Sequence, residues 1–363
     1  MAFLGNGYFE SLVKRVINIV VTWNVLMLCL FGGFIIFVFS MIFLVAAVSG
    51  ATATEPASAY TTVYGSSPNQ LLSIPVSGVI TGTDAGSGGI FSALDSQTAG
   101  YSVKDELYRA VADGSIQGVI LEINSPGGTI YGAHAIADGV EYYRSQTHKP
   151  IYAHISGTGA SGAYWAAAST DKILVDYGSD VGSIGVIMGP FQYYNTVLSE
   201  DSGLLGSGVV TQNGIESVTI TAGKSKDVGN PYRKLTSDEI AALQKQVNNE
   251  YDDFVSYVSK RRGIDEATIR NQIGAMAYDQ RTALAYHLSD ATMNRQDAYD
   301  TLAKAAGYPN DYSVVQEQPS YGFVRSLFMA VSHQQQPKAQ EVDLCSLSQA
   351  SLAYHGDISS WCK

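Results

Sequence analysis

From Val16 to Thr54 the chain carries no Asp, Glu, Lys, Arg or His, and Val16–Val48 is dominated by Ile, Val, Leu, Phe and Met. About 20 apolar residues cross a bilayer, so this run is ample for one transmembrane helix. A cleaved signal peptide is the competing reading, since Ala46-Ala47-Val48-Ser49-Gly50-Ala51 offers small residues for cleavage. A signal core has roughly 7–15 residues, and this run is far longer. The pattern therefore predicts an uncleaved anchor, residues 16–49, contacting membrane lipid behind a cytoplasmic stub, residues 1–15. Lys14 and Arg15 precede the span and its far side begins without positive charge. That asymmetry places the N-terminus in the cytoplasm of a single-pass plasma (inner) membrane protein, with everything after residue 50 outside.

Beyond the span the period changes. Residues 50–70 are Ala, Thr, Ser, Pro and Gly with little apolar pattern, and read as a flexible stalk. Leu71–Ile80 reads as a first strand, followed by a Gly/Ser-rich turn through Gly89. Val103–Ala112 is helical in pattern, and Gly118–Asn124 is a buried strand stopped by Ser125-Pro126-Gly127-Gly128. A helix through Tyr143 follows, then a strand Pro150–Ile155 and a second Gly-rich turn opening a helix from Ser161. Lys172–Val175 and Val181–Met188 are strand-like. Strands alternating with such helices indicate an α/β domain, placed at residues 71–310. Ser237–Gly263 is a long amphipathic helix, with Ile240, Leu243, Val247, Tyr251, Phe254, Val255 and Val258 near helical spacing. After Gly307-Tyr308-Pro309 the pattern decays into a Gln-rich tail, residues 311–363. No strand–turn–helix unit recurs at a fixed period.

Composition narrows the function. Apolar residues make up 46% of the chain and charged residues 15%, which excludes a chain disordered throughout. The net charge is −11. The exported part alone holds 20 basic and 32 acidic side chains, a net of −12, so nucleic acid is not an expected partner. Three cysteines cannot build a disulfide framework or a four-cysteine zinc site. Cys29 falls in the span. Cys345 and Cys362 fall in the exported tail, where pairing is permitted but not required. No metal-ligand spacing or phosphate-binding glycine motif occurs, so neither metal nor cofactor is expected.

Two strand-to-loop junctions carry candidate chemistry. In Asn124-Ser125-Pro126-Gly127-Gly128 the paired glycines let the backbone approach a ligand and aim N–H groups at it. In Thr158-Gly159-Ala160-Ser161-Gly162-Ala163-Tyr164-Trp165 small residues surround one serine at the start of a helix. Two ordinary tight turns, with Ser161 as a helix cap, would leave the same trace. Tyr164 and Trp165 read as core, Asp171-Lys172 as a turn, and Asp252-Asp253 as surface. No histidine lies between His154 and His287, which opens the question of a lysine base. Lys224 and Lys226, in Gly223-Lys224-Ser225-Lys226-Asp227, sit in a glycine-punctuated segment ahead of the long helix; a solvated surface charge is the ordinary reading of either.

Taken in order, Ile74–Ile80, Leu121–Gly128, Gly159–Trp165 with Asp171-Lys172-Ile173, Val181–Ile187, Lys224–Asn230 and the long helix ending at Gly263 resemble peptidase family S49, the signal peptide peptidase A type of membrane-bound serine protease. The resemblance covers about Leu71 to Asp300. It implies an α/β fold of repeated ββα units, like that of crotonases and the Clp protease subunit, behind one transmembrane helix. It also implies Ser161 as nucleophile, Lys226 as general base, Ser183 as the serine that orients the lysine, and the N–H groups of Gly128 and Gly162 as an oxyanion hole. Ring-like homo-oligomers and peptide substrates such as signal-peptide remnants follow from the same resemblance. One departure stands out: the family usually has a glycine where this chain has His287, before Leu288-Ser289-Asp290.

The implied chemistry is self-consistent. A lysine base must be neutral, yet its ordinary pKa is about 10.4, and lowering it to about 8 requires roughly 3.3 kcal/mol of differential destabilisation. Two backbone donors at an oxyanion contribute on the order of 3 kcal/mol each. The competing expectations are a catalytically silent oligomeric membrane scaffold and a crotonase-type acyl-CoA enzyme. Export from the CoA-containing compartment and the unexplained Ser161 and Lys226 weigh against the second.

Overall fold

The computed structural model describes residues 6–50, 60–83, 97–191, 193, 220–317 and 352–354. The chain divides into two compact units, Met1–Ser58 and Ala59–Lys363. The first holds helix α1 (Asn6–Gly50). Within it Lys14–Phe37 is long and apolar enough to cross a membrane, with a mean hydropathy of 2.3; a signal sequence passes the same test. Cys29 is a free, exposed thiol on this helix. Residues 51–59 of the expected stalk, residues 84–89 of the expected turn, and Cys345 and Cys362 of the tail lie outside the described residues.

The second unit is a mixed α/β domain, as the alternating pattern predicts. Its strands are β1 (Tyr60–Gly65), β2 (Gln70–Thr81), β3 (Gln97–Ala99), β4 (Ile116–Thr129), β5 (Ile151–Ala160), β6 (Lys172–Val175), β7 (Asp180–Gly182), β8 (Ala277–Asp279), β9 (Ala291–Thr292), β10 (Ser313–Glu317) and β11 (Leu352–Tyr354). The helices are α2 (Gly100–Ala112), α3 (Ile130–Thr147), α4 (Gly162–Ala168), α5 (Ser237–Arg262), α6 (Glu266–Thr268, running into a π-turn at Ile269–Ile273), α7 (Gln280–Ala285) and α8 (Arg295–Ala305). The sheet runs β1-β10-β2-β4-β5-β6-β9, parallel from β10 to β9, with β1 antiparallel at the edge.

Both faces of the parallel strands are covered, which is why their sequences read as nearly continuous apolar runs. Alternate residues feed two cores. Leu72, Ile74, Val119, Leu121, Ile151 and Ala153 face the larger core with residues of α2, α3, α4 and α5. Leu71, Ile120, Tyr152 and Leu174 face the smaller one with Ala298, Tyr299 and Leu302 of α8. All seven residues of α4 are buried, and Trp165 stacks on Phe254 of α5 at 4.6 Å between ring centroids.

Several boundaries depart from expectation. Residues 60–65, placed in the stalk by composition, form β1 against β10, and residues 313–317, placed in the tail, form β10 itself. β4 does not stop at Ser125 but continues through Pro126, Gly127 and Gly128, with irregular register near Ser125 and against Ser77–Val79. Conversely Val181–Met188 joins the strand β7 only at Val181 and Gly182, because Ser183 turns left-handed at φ +54°. Helix α5 matches its predicted span and ends on Gly263 in the left-handed conformation. Its expected apolar face is packed only in the second half: Phe254, Val255 and Val258 are buried, whereas Ile240 is exposed.

Candidate active site

Ser161 ends β5 and opens α4, fully buried, with φ +56° and ψ −120°. A left-handed φ is costly for a residue with a Cβ, and such residues cluster at functional turns. The surroundings hold it there. Its N–H donates to Gly182 O of the parallel neighbour β7 at 2.8 Å, and its carbonyl accepts from Trp165 N at 3.0 Å. The side chain does not cap α4; its Oγ donates instead to Gly185 O at 3.4 Å. Ser161 thus holds the cap position of α4 without a capping side-chain hydrogen bond.

The same pairing delivers Ser183. Because Ala160 lies opposite Gly182, the next residue beyond β7 falls beside the Ser161 turn, and Ser183 is 5% exposed with its N–H donating to Met276 O at 2.7 Å. Gly162 follows Ser161 as the first residue of α4, where a backbone N–H has no intrahelical partner.

Gly128 reaches the site by the continuation of β4. The last β4–β5 partners are Ser125 and Gly159, so β4 runs on past β5 at the level of the Ser161 turn. Buried Ser125 Oγ accepts from Gly127 N at 3.1 Å and shapes this end, while Gly127 takes φ +100°. A Cβ on Gly128 would stand 2.0 Å from Ile80 O of β2. Only glycine fits that approach.

Lys226 is not joined to these residues. It sits on the turn after Gly223, exposed, and its ammonium makes no hydrogen bond or ion pair among the described residues. Lys224, two residues away, forms an exposed ion pair with Asp238 at 2.9 Å. The turn is held to α5 by a clamp that sequence reading missed. Arg233 donates to both Asp227 oxygens at 2.7 Å and to both Glu239 oxygens at 2.8 and 2.9 Å. Glu239 also closes a capping box with Thr236, and its carboxyl is held well below the usual range, first by Arg233 and then by Thr236 N–H. The Thr236-x-x-Glu239 spacing was the available signal.

His154 is buried on the α8 side of the sheet, with Nδ1 3.1 Å from Glu122 Oε2 and Nε2 3.4 Å from Met293 O. Tyr164 and Trp165 are core, as expected, and Asp171 anchors a turn by accepting from Arg144 at 2.7 Å and Ile151 N at 3.0 Å. Among the described residues no group of three or more His, Cys, Asp or Glu is placed to hold a metal.

The sheet thus delivers a buried serine of positive φ beside a glycine-lined strand end, and comparison with known proteins gives the chain a family. The model of Peptidase family S49 matches residues 143–308. A protein of Enterococcus faecium bearing the name signal peptide peptidase SppA is 30% identical over 262 residues, 72% of this chain and 71% of that protein. One of Methanocaldococcus jannaschii, named as a protease, is 34% identical over 198 residues, 54% of this chain and 59% of that protein. Protease 4 of Haemophilus influenzae is 27% identical over 203 residues, 56% of this chain and 29% of that protein. The chain belongs to peptidase family S49.

Proposed function

We propose that this chain is a membrane-anchored serine endopeptidase working with a Ser161–Lys226 dyad on a ClpP-like core. It cleaves apolar peptides, signal-peptide remnants among them, on the extracytoplasmic side. The observation that carries the reading is the conformation of Ser161: buried, left-handed, and with its hydroxyl withheld from helix capping.

In this reading Ser161 Oγ attacks the scissile carbonyl carbon as Lys226 Nζ takes its proton. The carbonyl oxygen becomes an oxyanion received by the N–H groups of Gly128 and Gly162. Collapse of the tetrahedral intermediate breaks the C–N bond, the lysine returns the proton to the leaving amine, and water releases the acyl group by the same route. Ser183 orients the amine. Only a neutral amine accepts the serine proton, so the exposed Lys226 has to be covered in the working state, by a bound peptide or by a neighbouring subunit of a homo-oligomer. The small residues Gly159, Ala160, Gly162 and Ala163 suit an extended substrate held by backbone pairing, with Ala or Leu favoured at the cleaved position.

Labelling with a serine-directed fluorophosphonate, read beside peptide cleavage, tests this. Wild type labels at Ser161. Ser161→Ala and Lys226→Ala each lose at least about 10³-fold in kcat/KM with the fold retained, whereas Lys224→Ala stays active. An unlabelled Ser161 would favour a silent scaffold or an acyl-CoA enzyme. A dead Lys224→Ala beside an active Lys226→Ala would refute the base assignment.

A further inference from the structure

The strand end that carries Gly128 is not open. Leu352–Tyr354, from the C-terminal tail, lies antiparallel on β4, with Leu352 opposite Thr129, Ala353 opposite Gly128 and Tyr354 opposite Gly127. β2 pairs with the other edge of the same glycines, at Val79 and Ile80. β11 therefore takes the edge of β4 that β5 vacates after Ser125–Gly159, and its Cα atoms come within 8 Å of those of α4, the helix that Ser161 opens. An extended peptide presented to Ser161 and to the Gly128 N–H by backbone pairing would need this same edge. The tail sequence also has the chemistry proposed for substrates: Ala350-Ser351-Leu352-Ala353 is small to medium, uncharged and without proline.

We propose that the segment at Leu352–Tyr354 is a tethered occupant of the substrate slot, one that an incoming apolar peptide must displace. The proposal rests on the peptidase reading for its consequence and on strand pairing for its placement. A slot filled nine-tenths of the time raises the apparent KM about tenfold, because only the open fraction binds. Turnover from the bound complex is unaffected, so kcat does not change.

The test uses the full chain in detergent and the double variant Leu352→Pro/Ala353→Pro. Adjacent residues of a strand point their N–H groups to opposite sides, so one of the two lost donors faces β4 in either phase of the ladder. Two readings are taken: hydrogen exchange at the Gly127–Thr129 amides, and kcat and KM on an Ala/Leu-rich peptide. The expected result is faster exchange in the double variant, together with a KM lower by several-fold and an unchanged kcat. A synthetic peptide of residues 349–357 added to the double variant restores both. Equal exchange in the two chains overturns the proposal, and so does faster exchange with an unchanged KM, which would make β11 a structural edge strand. Faster exchange in a pair of chains that cleave nothing and resist fluorophosphonate would keep the docking of the tail and sink the peptidase reading instead.

Discussion

Glu106, on α2, is the carboxyl most out of place in the domain. One of its oxygens is buried and lacks a hydrogen-bond partner among the described residues. Arg109, the nearby cation, donates instead to Glu317 of β10 at 2.6 Å. Burial first, and the Glu317 charge second, push the Glu106 carboxyl up to about 8, against a weaker lowering by Arg109. Tyr60 of β1 shares the corner: burial, then Asp113, Glu106 and Glu317, raise its phenol. Between its ordinary value of 4.5 and about 8, Glu106 keeps a proton in the folded chain that it gives up on unfolding. The folded state then binds more protons, so stability falls as pH rises through that window and levels off above it. A shift of this size corresponds to at most about 5 kcal/mol, and partial exposure of the side chain brings it to about half of that. Glu106→Gln keeps the shape and removes the charge. It should match wild type at pH 5 and exceed it by about 2–3 kcal/mol at pH 9 in urea unfolding of the full chain in detergent. Curves that stay parallel from pH 5 to pH 9, or a variant weaker at pH 9 than at pH 5, would refute the reasoning.

Three further outcomes follow from the geometry. Gly128→Ala forces a methyl against the Ile80 carbonyl, which neither strand can avoid, and should cost about 1–3 kcal/mol in thermal unfolding while slowing Ser161 labelling out of proportion to that loss. His287→Gly should raise stability by about 0.5–1 kcal/mol, since φ at this position is +60° and the contact from Arg262 uses only the backbone oxygen of residue 287. Arg233→Lys keeps the charge but loses the fork that grips Asp227 and Glu239; kcat should fall and its pH profile shift, while the far-ultraviolet circular dichroism stays that of wild type.

How much of this was legible in sequence depended on whether the deciding interaction was local. The parallel core strands announced themselves as apolar runs because both faces are buried, and α5 because Thr236 and Gly263 mark its ends. Pro126 and Gly127 read as a strand stop, but β4 passes through them, since its outer end has β2 on one edge and β11 on the other to fix the chain. β1 was hidden for the opposite reason. Tyr60–Gly65 is mostly exposed and has no apolar rhythm, and it exists only because β10, some 250 residues later, offers an edge. His287 looked like a departure from the family and is one only in side chain: the backbone still takes the conformation that glycine prefers there.

The candidate site divides along the same line. Ser161, Ser183, Gly162 and Gly128 lie on or just beyond three adjoining strands, β4, β5 and β7, so a motif that fixes strand ends also fixes their mutual placement. Lys226 stands on a turn held not by the sheet but by Arg233, which ties Asp227 to the first turn of α5. That helix in turn meets the core only through its second half, at Phe254, Val255 and Val258. The sheet thus sets the proposed nucleophile and oxyanion donors, while the proposed base rides on a separately clamped turn beside the half of α5 that the described residues leave largely exposed. An arrangement of this kind makes activity sensitive to whatever covers that half, and in the proposed homo-oligomer the cover is a second copy of the chain. The same contact that buries Ile240 would then bring Lys226 out of solvent, so that assembly and completion of the proposed site become one event rather than two.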